Sequence, residues 1–370
     1  MFKRLVALVL IALLVMVGCA TNELNVQTPR NAQSITQTDD IELPSSNVES
    51  VKEPFLDLTD FVMIEGFKTI ERIYLNETNN ILLTVQRMSS KKSAISMFDY
   101  SELKTVNYKV FDSYIAKLKP LDNEFLVFDE SDKSVTKMTY GFEEEYSFAL
   151  PDDLHSSVHS ADVSDDELSL IYISNDAKNL MLDTVPPSHP VSIKYAKRGI
   201  MSAAFVNNEL IYYSVRTTEY PFEFGLCGKT GTDKLFLRSY AFVPKPFDNG
   251  VLMLESMEMR KDNRVYLYDL CSLDTPPRVL EVNGSSDVTI SRNGRFALSA
   301  STDGENLTAM IYNLENGKID ERSVHFNTDK YTVNLMGDPD CYYISDDGTN
   351  GFILFLGEGF RLYKLSLKLH

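Results

Sequence analysis

The chain has 370 residues and a formal net charge of −17 at pH 7, from 53 acidic and 36 basic side chains. Because the protein is this acidic, it repels nucleic-acid phosphates and anionic lipid headgroups, and neither is an expected partner. The sequence divides into a leader (1–18), a polar segment (19–54) and a body (55–370) that is long enough for one large domain.

The leader has the features of an export signal. Lys3 and Arg4 precede thirteen residues, 5–17, that carry no charge. This length is typical of the apolar part of a signal peptide and is shorter than the about 20 residues that span a bilayer comfortably. The apolar stretch ends in Met-Val-Gly-Cys-Ala at residues 16–20, with Cys19 directly after a glycine.

Residues 16–19 resemble the lipobox of bacterial lipoproteins, a short apolar or small triplet before a cysteine. The resemblance implies cleavage before Cys19 and a diacylglyceryl lipid on its sulfur, and two or more acyl chains anchor a protein stably. The implied location is the extracytoplasmic face of the cell membrane, or the outer membrane if the organism has one. The alternative is an ordinary secreted protein or an uncleaved anchor helix.

The segment after Cys19 is predicted to be a flexible tether. Residues 21–54 are rich in Thr, Asn, Gln, Ser, Asp and Glu and contain few apolar positions. Such a segment cannot bury enough apolar surface to offset the entropy lost on ordering it. We therefore expect residues 19–54 to hold the body away from the membrane.

The body contains a repeated strand pattern. Seven short apolar runs start 41 to 45 residues apart, and each follows a turn rich in Asn, Asp or Gly. The composition of the runs indicates β-strands, and the turn residues tolerate the positive φ angles of tight hairpins. The runs are residues 80–86, 124–130, 167–173, 209–215, 250–256, 295–301 and 340–346.

One strand precedes each turn and two more follow each run, as at residues 288–291, 264–270 and 278–282. Four antiparallel strands in a unit of about 40 to 45 residues predict an all-β fold, a β-propeller of seven four-stranded blades. Two stacked β-sandwiches are the alternative, but they would not share this longer period. Residues 60–64 could complete the last blade and close the ring, or residues 360–367 could do so alone.

The hairpin at residues 290–299, Ile-Ser-Arg-Asn-Gly-Arg-Phe-Ala-Leu-Ser, resembles the hairpins of TolB-like and WD40-like propellers. The resemblance is local to this unit and partial in the others. The chain contains no Trp. It therefore lacks both the Trp-Asp dipeptide of WD40 blades and the Trp pattern of quinoprotein propellers, and no cofactor is expected.

Several motifs that often mark catalytic or metal sites are here better explained by hairpins, strands and turns. The Gly-Lys-Thr at 228–230 lacks the preceding Gly of a phosphate loop and is predicted to be a hairpin between third and fourth strands. His155 and His159 are predicted to enter a strand, where four residues span about 13 Å, so no metal site is expected. The acidic residues at 162–167 and 346–347 lack calcium-loop spacing and are interpreted as turn and solubility residues.

Lipidation of Cys19 leaves three cysteines, which we predict to be reduced and structural. Cys227 and Cys271 align to equivalent places in adjacent blades, and Cys341 is placed at the start of a second strand. Equivalent turns of neighbouring blades should lie beyond the about 7 Å that a disulfide can bridge between Cα atoms.

One segment suggests a binding surface. Arg216 flanks the aromatic residues Tyr220, Phe222 and Phe224, which surround a proline. Exposed aromatic side chains beside an arginine suit an interaction surface, although the same residues in a third strand would pack between blades.

The function expected from the sequence is a membrane-anchored extracytoplasmic lipoprotein that acts as a non-catalytic binding or assembly module. Its partner would be a protein or a small molecule on a propeller face, and this expectation is an analogy with other propellers. No Gly-x-Ser-x-Gly motif supports an esterase-type hydrolase. The alternatives are a carbohydrate- or peptide-directed hydrolase that uses channel carboxylates, and a sensor of an extracellular solute.

Overall fold

The computed structural model describes residues 56–60, 69–76, 79–101, 104–215, 222–239, 241–246, 251–256, 264–281, 288–302, 306–325, 334–335, 341–356 and 362–368. These ranges contain 29 β-strands and a single short 3-10 helix, Val158–Ser160. None of the helical structure in them is long and apolar enough to cross a bilayer. The leader, Cys19 and the predicted tether lie outside the described residues.

The strands form seven antiparallel sheets, and six of these sheets each use four consecutive strands. We number the sheets as blades in chain order. Blades 1 to 3 comprise β2 (Thr69–Asn76), β3 (Ile81–Ser89), β4 (Lys92–Asp99), β5 (Lys104–Phe111), β6 (Ile115–Pro120), β7 (Glu124–Asp129), β8 (Ser134–Thr139), β9 (Glu144–Ala149), β10 (Ala161–Val163), β11 (Ser169–Ile173), β12 (Asn179–Thr184) and β13 (Val191–Tyr195).

Blades 4 to 6 repeat this pattern. The four-stranded unit predicted from the sequence is therefore confirmed in the first six blades. Their strands are β14 (Ile200–Phe205), β15 (Leu210–Val215), β16 (Phe222–Gly228), β17 (Asp233–Ser239), β18 (Ala241–Pro246), β19 (Val251–Ser256), β20 (Arg264–Asp269), β21 (Arg278–Glu281), β22 (Val288–Ile290), β23 (Phe296–Thr302), β24 (Asn306–Asn313) and β25 (Ile319–His325).

Blade 7 joins the two ends of the body. Its first strand is in two pieces, β26 (Asn334–Leu335) and β27 (Tyr342–Ile344), which both pair with β28 (Asn350–Leu356). β29 (Leu362–Lys368) follows, and β1 (Leu56–Asp60) is the outermost strand, with Leu56 opposite Leu367. Of the two ways to close the ring, the chain uses an N-terminal strand, four residues earlier than expected.

The apolar runs of the first six blades are their second strands, and the burial of β3, β7 and β11 is nearly continuous. The seventh run is a correction, because it contains the first strand β27. The turn of blade 7 is instead at 345–349, where the Ser345 hydroxyl donates to Asp347 and accepts from the N–H of Asn350. Ser291 makes the same two bonds in blade 6, which identifies the equivalent turn.

Apolar clusters connect each blade to the next. Leu83 packs with Phe125 between blades 1 and 2, and one large cluster unites blades 6, 7 and 1 through Leu298, Ile353 and Leu82. The remaining junctions have their own clusters, and the first strands of neighbouring blades contact one another, as β2 and β6 do. In blades 1 and 3 the fourth strands β5 and β13 are the most exposed, so the first strands line the inside and the fourth strands the outside.

The cysteines and histidines differ from the sequence predictions. Cys227 is buried within β16 opposite Ile211, whereas Cys271 is an exposed turn residue after β20, so the two are not equivalent. Cys341 is buried beside the first strand of its blade, not at the start of a second strand. The histidine segment does enter a strand, β10, but the histidines themselves precede it, and His159 lies in the 3-10 helix. The Gly228–Lys229–Thr230 segment does lie at the hairpin between β16 and β17.

Candidate functional site

The structure covers only part of the aromatic segment predicted to bind a partner. Arg216 and Tyr220 lie outside the described residues. The backbones of Phe222 and Phe224 belong to β16, the third strand of blade 4, opposite Ser239 and Leu237. Phe222 and Phe224 therefore lie in a third strand, as the sequence predicted. Whether the segment forms a binding surface or packs between blades stays a prediction.

The strands on either side of segment 216–221 show at which edge of blade 4 the segment starts and ends. β15 ends at Val215, which pairs with Ile200 on one side and Glu223 on the other. The connection 216–221 therefore begins and ends at the same edge of the blade as the first residue of β14. Met201 is the next residue of that strand.

Two large apolar side chains are exposed at this edge. Tyr195, the last residue of β13, is 62% exposed, and Met201 is 47% exposed. A tight turn links their strands, in which the N–H of Gly199 donates to the carbonyl of Ala196. Exposed side chains of this type are enriched at protein–protein interfaces. We call Tyr195 and Met201 the Tyr195–Met201 surface.

A charged network around the buried Asp162 connects the first strands of blades 2, 3 and 4. The Asp162 carboxylate in β10 lies 3.5 Å from Lys117 Nζ and 3.7 Å from Lys119 Nζ, both in β6. Its Oδ2 also accepts the N–H of Phe205 in β14 at 2.9 Å. Lys119 further pairs with Asp165 at 2.8 Å. One carboxylate therefore ties blades 2, 3 and 4 together along the inner wall.

The protonation of this network follows from its contacts. Burial alone would raise the pKa of Asp162, but Lys119 and Lys117 outweigh burial and hold that pKa below its ordinary value. Burial lowers the pKa of Lys117, and Asp162 opposes that effect only in part. Asp162 is thus an ion-pair residue of the wall, which corrects its interpretation as a turn and solubility residue.

A second charged cluster connects blades 2 and 3. Lys137 Nζ lies 2.6 Å from Glu124 and 2.9 Å from Glu167, and Glu145 is 3.3 Å away. The Tyr146 hydroxyl donates to the other oxygen of Glu167 at 2.5 Å. Three carboxylates converge here, but the partly buried ammonium group of Lys137 occupies their centre. Hydrogen bonding to Lys137 is the main cause of the lowered pKa of Glu124.

The described carboxyl groups with a displaced pKa share one property. Each of those whose pKa is displaced has a pKa below the ordinary value, through hydrogen bonds or cations. A general acid for glycoside hydrolysis needs a raised pKa. In the part of the chain that the structure covers, no three or more His, Cys, Asp or Glu side chains are grouped so as to hold a metal ion.

Comparison with solved structures gives the fold. The β-propeller domain of Cps50 (Swd1) from Myceliophteria thermophila superposes with a TM-score of 0.57 over 85% of this chain and 100% of that domain, at 9% sequence identity. The body of this chain is a β-propeller. KlHsv2 with loop 6CD replaced by a Gly-Ser linker aligns with a TM-score of 0.46 over 66% of this chain and 75% of its own, at 14% identity, too low a score to add support.

No family model and no curated protein matches the sequence. At such low identity the structural likeness shows the fold alone. β-Propellers are typically protein-binding scaffolds that present connecting segments on two faces, so the functional assignment depends on the surfaces of this particular propeller.

Proposed function

We propose that this protein is a lipoprotein anchored through Cys19 on the extracytoplasmic side of the membrane, and that its propeller binds a protein partner without catalysis. The charged start, the uncharged residues 5–17 and the Gly-Cys pair support the anchor. The polar segment 21–54 would give the propeller room to reach its partner.

The Tyr195–Met201 surface is the observation on which the binding role rests. In a protein with a net charge of −17, two large apolar side chains that are about half exposed or more lie at the edge where segment 216–221 starts and ends. That segment contains Arg216 and Tyr220, residue types common at the energetic centres of interfaces. The proposed partner therefore docks at the junction of blades 3 and 4.

The electrostatics of the carboxyl groups favour binding over the hydrolase alternative. In the Lys137 cluster three carboxylates share one ammonium group, and hydrogen bonding to Lys137 lowers the pKa of Glu124, which is an ionised carboxylate at neutral pH. A carboxylate in that state can serve as a base or nucleophile, but it cannot supply the proton that a leaving group requires.

The anchor is tested by replacing Cys19 with serine in the full chain and separating membranes from soluble protein. We expect the wild-type protein to sediment with membranes and to incorporate labelled fatty acid. The Cys19→Ser chain should incorporate none and should either appear in the soluble fraction or keep its leader. A processed, membrane-bound Cys19→Ser chain would show that the anchor is not this lipid.

The binding surface is tested by site-specific photo-crosslinking in intact cells. A benzophenone amino acid at Met201 should yield one discrete crosslinked protein product, and Tyr195→Asp in the same chain should reduce that product at least about tenfold. The exposed Lys318 is the matched control position and should yield none. Equal products from positions 201 and 318, or a Met201 product that Tyr195→Asp leaves unchanged, would contradict the proposal.

A further inference from the structure

A cleft of about 390 Å³ opens between blades 5 and 6, in the range of sites that bind small molecules. It lies where the ends of β20 and β21 diverge from the turn before β23. Its walls combine apolar and charged groups. They include Leu267, Ile290, Leu314, Pro276, Asp269 and Arg278.

The strand register shows that the charged groups of the cleft face blade 6. Val265 and Leu280 are opposite each other in β20 and β21, and both pack against blade 6. Side chains alternate along a strand, so Leu267 and Asp269 are on the same side as Val265. Arg278, opposite Leu267, is on that side too. Two charges therefore continue a surface that is otherwise apolar and buried.

Asp269 and Arg278 are diagonal neighbours, yet they do not pair. Diagonal positions on one face of an antiparallel pair lie about 7 to 8 Å apart, within reach of a long side chain. Among the described residues the Arg278 guanidinium forms no ion pair or side-chain hydrogen bond, although its charge acts on the nearby Glu315. Asp269 Oδ1 accepts the N–H of Cys271 at 2.8 Å. This bond holds the carboxylate at the turn and leaves Oδ2 available.

A nearby arginine shows the contrasting arrangement. Arg295 lies in the blade 6 turn before β23, and its guanidinium is 2.7 Å from the Glu315 carboxylate. The exposed Arg295 side chain is therefore ion-paired with Glu315. The Arg278 guanidinium and the Asp269 carboxylate, both at the cleft, form no ion pair with each other. A separated cation and anion above an apolar floor match a ligand that carries both charges and an apolar group.

We propose that the cleft between blades 5 and 6 binds a small zwitterion with an apolar side chain, an α-amino acid such as leucine. Its carboxylate would contact Arg278, its ammonium group Asp269, and its side chain Leu267, Ile290 and Leu314. A bidentate arginine–carboxylate contact gives both strength and orientation. The site goes beyond the proposed protein-binding role and does not depend on it, because the Tyr195–Met201 surface is on blades 3 and 4.

The test is titration calorimetry of the full chain in detergent with four compounds that separate the ligand's parts. Leucine has all three groups, 4-methylpentanoate lacks the ammonium, isoamylamine lacks the carboxylate and glycine lacks the side chain. We expect leucine to bind at least about tenfold more tightly than each of the others, since each loses a charge-assisted bond or the apolar contact.

Two variants assign the binding to the cleft. Asp269→Asn keeps the acceptor for the Cys271 N–H and removes only the charge, and Arg278→Gln removes the guanidinium. Each should weaken leucine binding at least about tenfold, and Lys318→Gln should leave it unchanged. No heat with leucine at millimolar concentration, equal binding of leucine and 4-methylpentanoate, or wild-type affinity in both cleft variants would overturn the proposal. The ligand series on the unmodified chain decides the matter if a variant fails to fold.

Discussion

The inner wall of blades 2 to 4 and the outer half of the blade 5–6 junction use charge in opposite ways. In the wall, Asp162 is buried and contacts two lysines, and neighbouring blades supply its partners. At the cleft, Asp269 and Arg278 are exposed on one surface without pairing. In both regions the charged side chains belong to strands at a junction between blades, β10 in the wall and β20 and β21 at the cleft. The difference indicates that the wall charges stabilise the ring, whereas the cleft charges are available to a ligand.

The largest expected effect is the loss of Asp162. The Asp162→Ala variant leaves the partly buried Lys117 without its carboxylate and the N–H of Phe205 without its acceptor. Breaking a buried pair in this way costs about 3 to 5 kcal/mol. Chemical denaturation should show that loss, and Asp162→Asn, which can still accept from Phe205, should lose less. An unfolding free energy that alanine leaves unchanged would mean that the wall charges do not stabilise the ring.

The same wall predicts acid sensitivity. The pKa of Asp162 in the folded chain is below its unfolded value of about 3.9, since Lys119 and Lys117 outweigh burial. A lowered folded pKa contributes stability above the unfolded pKa, and that stability is lost as pH falls through about 4 toward the folded pKa. Unfolding measured from pH 7 to pH 3 should show the gap between the unmodified chain and Asp162→Asn narrowing below about pH 4. A gap that widens there would reverse the assignment.

A smaller loss is expected from the Lys137 cluster. Tyr146→Phe removes the hydroxyl that donates to Glu167, while Lys137 still pairs with that carboxylate. The unfolding free energy should fall by about 1.5 to 3 kcal/mol, the usual value for a hydrogen bond to a charged group. Tyr195→Phe, which alters an exposed tyrosine, is the control and should change little. If the two substitutions lowered the unfolding free energy equally, the hydrogen bond between Tyr146 and Glu167 would not stabilise the fold.

The smallest effect on stability is expected at the cleft. Asp269→Asn retains the turn hydrogen bond, so its unfolding free energy should stay within about 0.5 kcal/mol of the unmodified chain. Thermal and chemical denaturation can measure this directly. A loss of several kcal/mol would show that the cleft charges, like those of the wall, support the fold.

Much of the architecture could be read from local patterns. The second strands of six blades were predictable because each is an apolar run after an Asn- or Asp-rich turn, as with residues 124–130 and β7. Blade 7 was misplaced because the pattern predicts the run at 340–346 as its second strand, although the turn that precedes the second strand is at Ser345 to Thr349. The hydroxyl bonds that identify this turn join Ser345 to Asp347 and Asn350, and comparison with Ser291 and Asn293 could have revealed it.

The candidate sites were much less accessible from the sequence. Lys117 and Asp162 are 45 positions apart, and nothing in either segment indicates that adjacent inner strands bring them together. Asp269 and Arg278 are close in sequence, but their common face follows from the β20–β21 register and from the packing of blade 6. Tyr195 and Met201 became notable only through their exposure.

By itself, the sequence determined the repeated four-stranded unit, because strand formation depends on local apolar patterning and turn chemistry that recur about every 43 residues. It also supplied the leader pattern on which the proposed anchor rests. Only the tertiary structure decided how β1 completes blade 7, which charges are paired and which are left open to solvent. Those features depend on contacts between residues far apart in the chain, and burial, which controls the strength of charge interactions, exists only once the blades have packed.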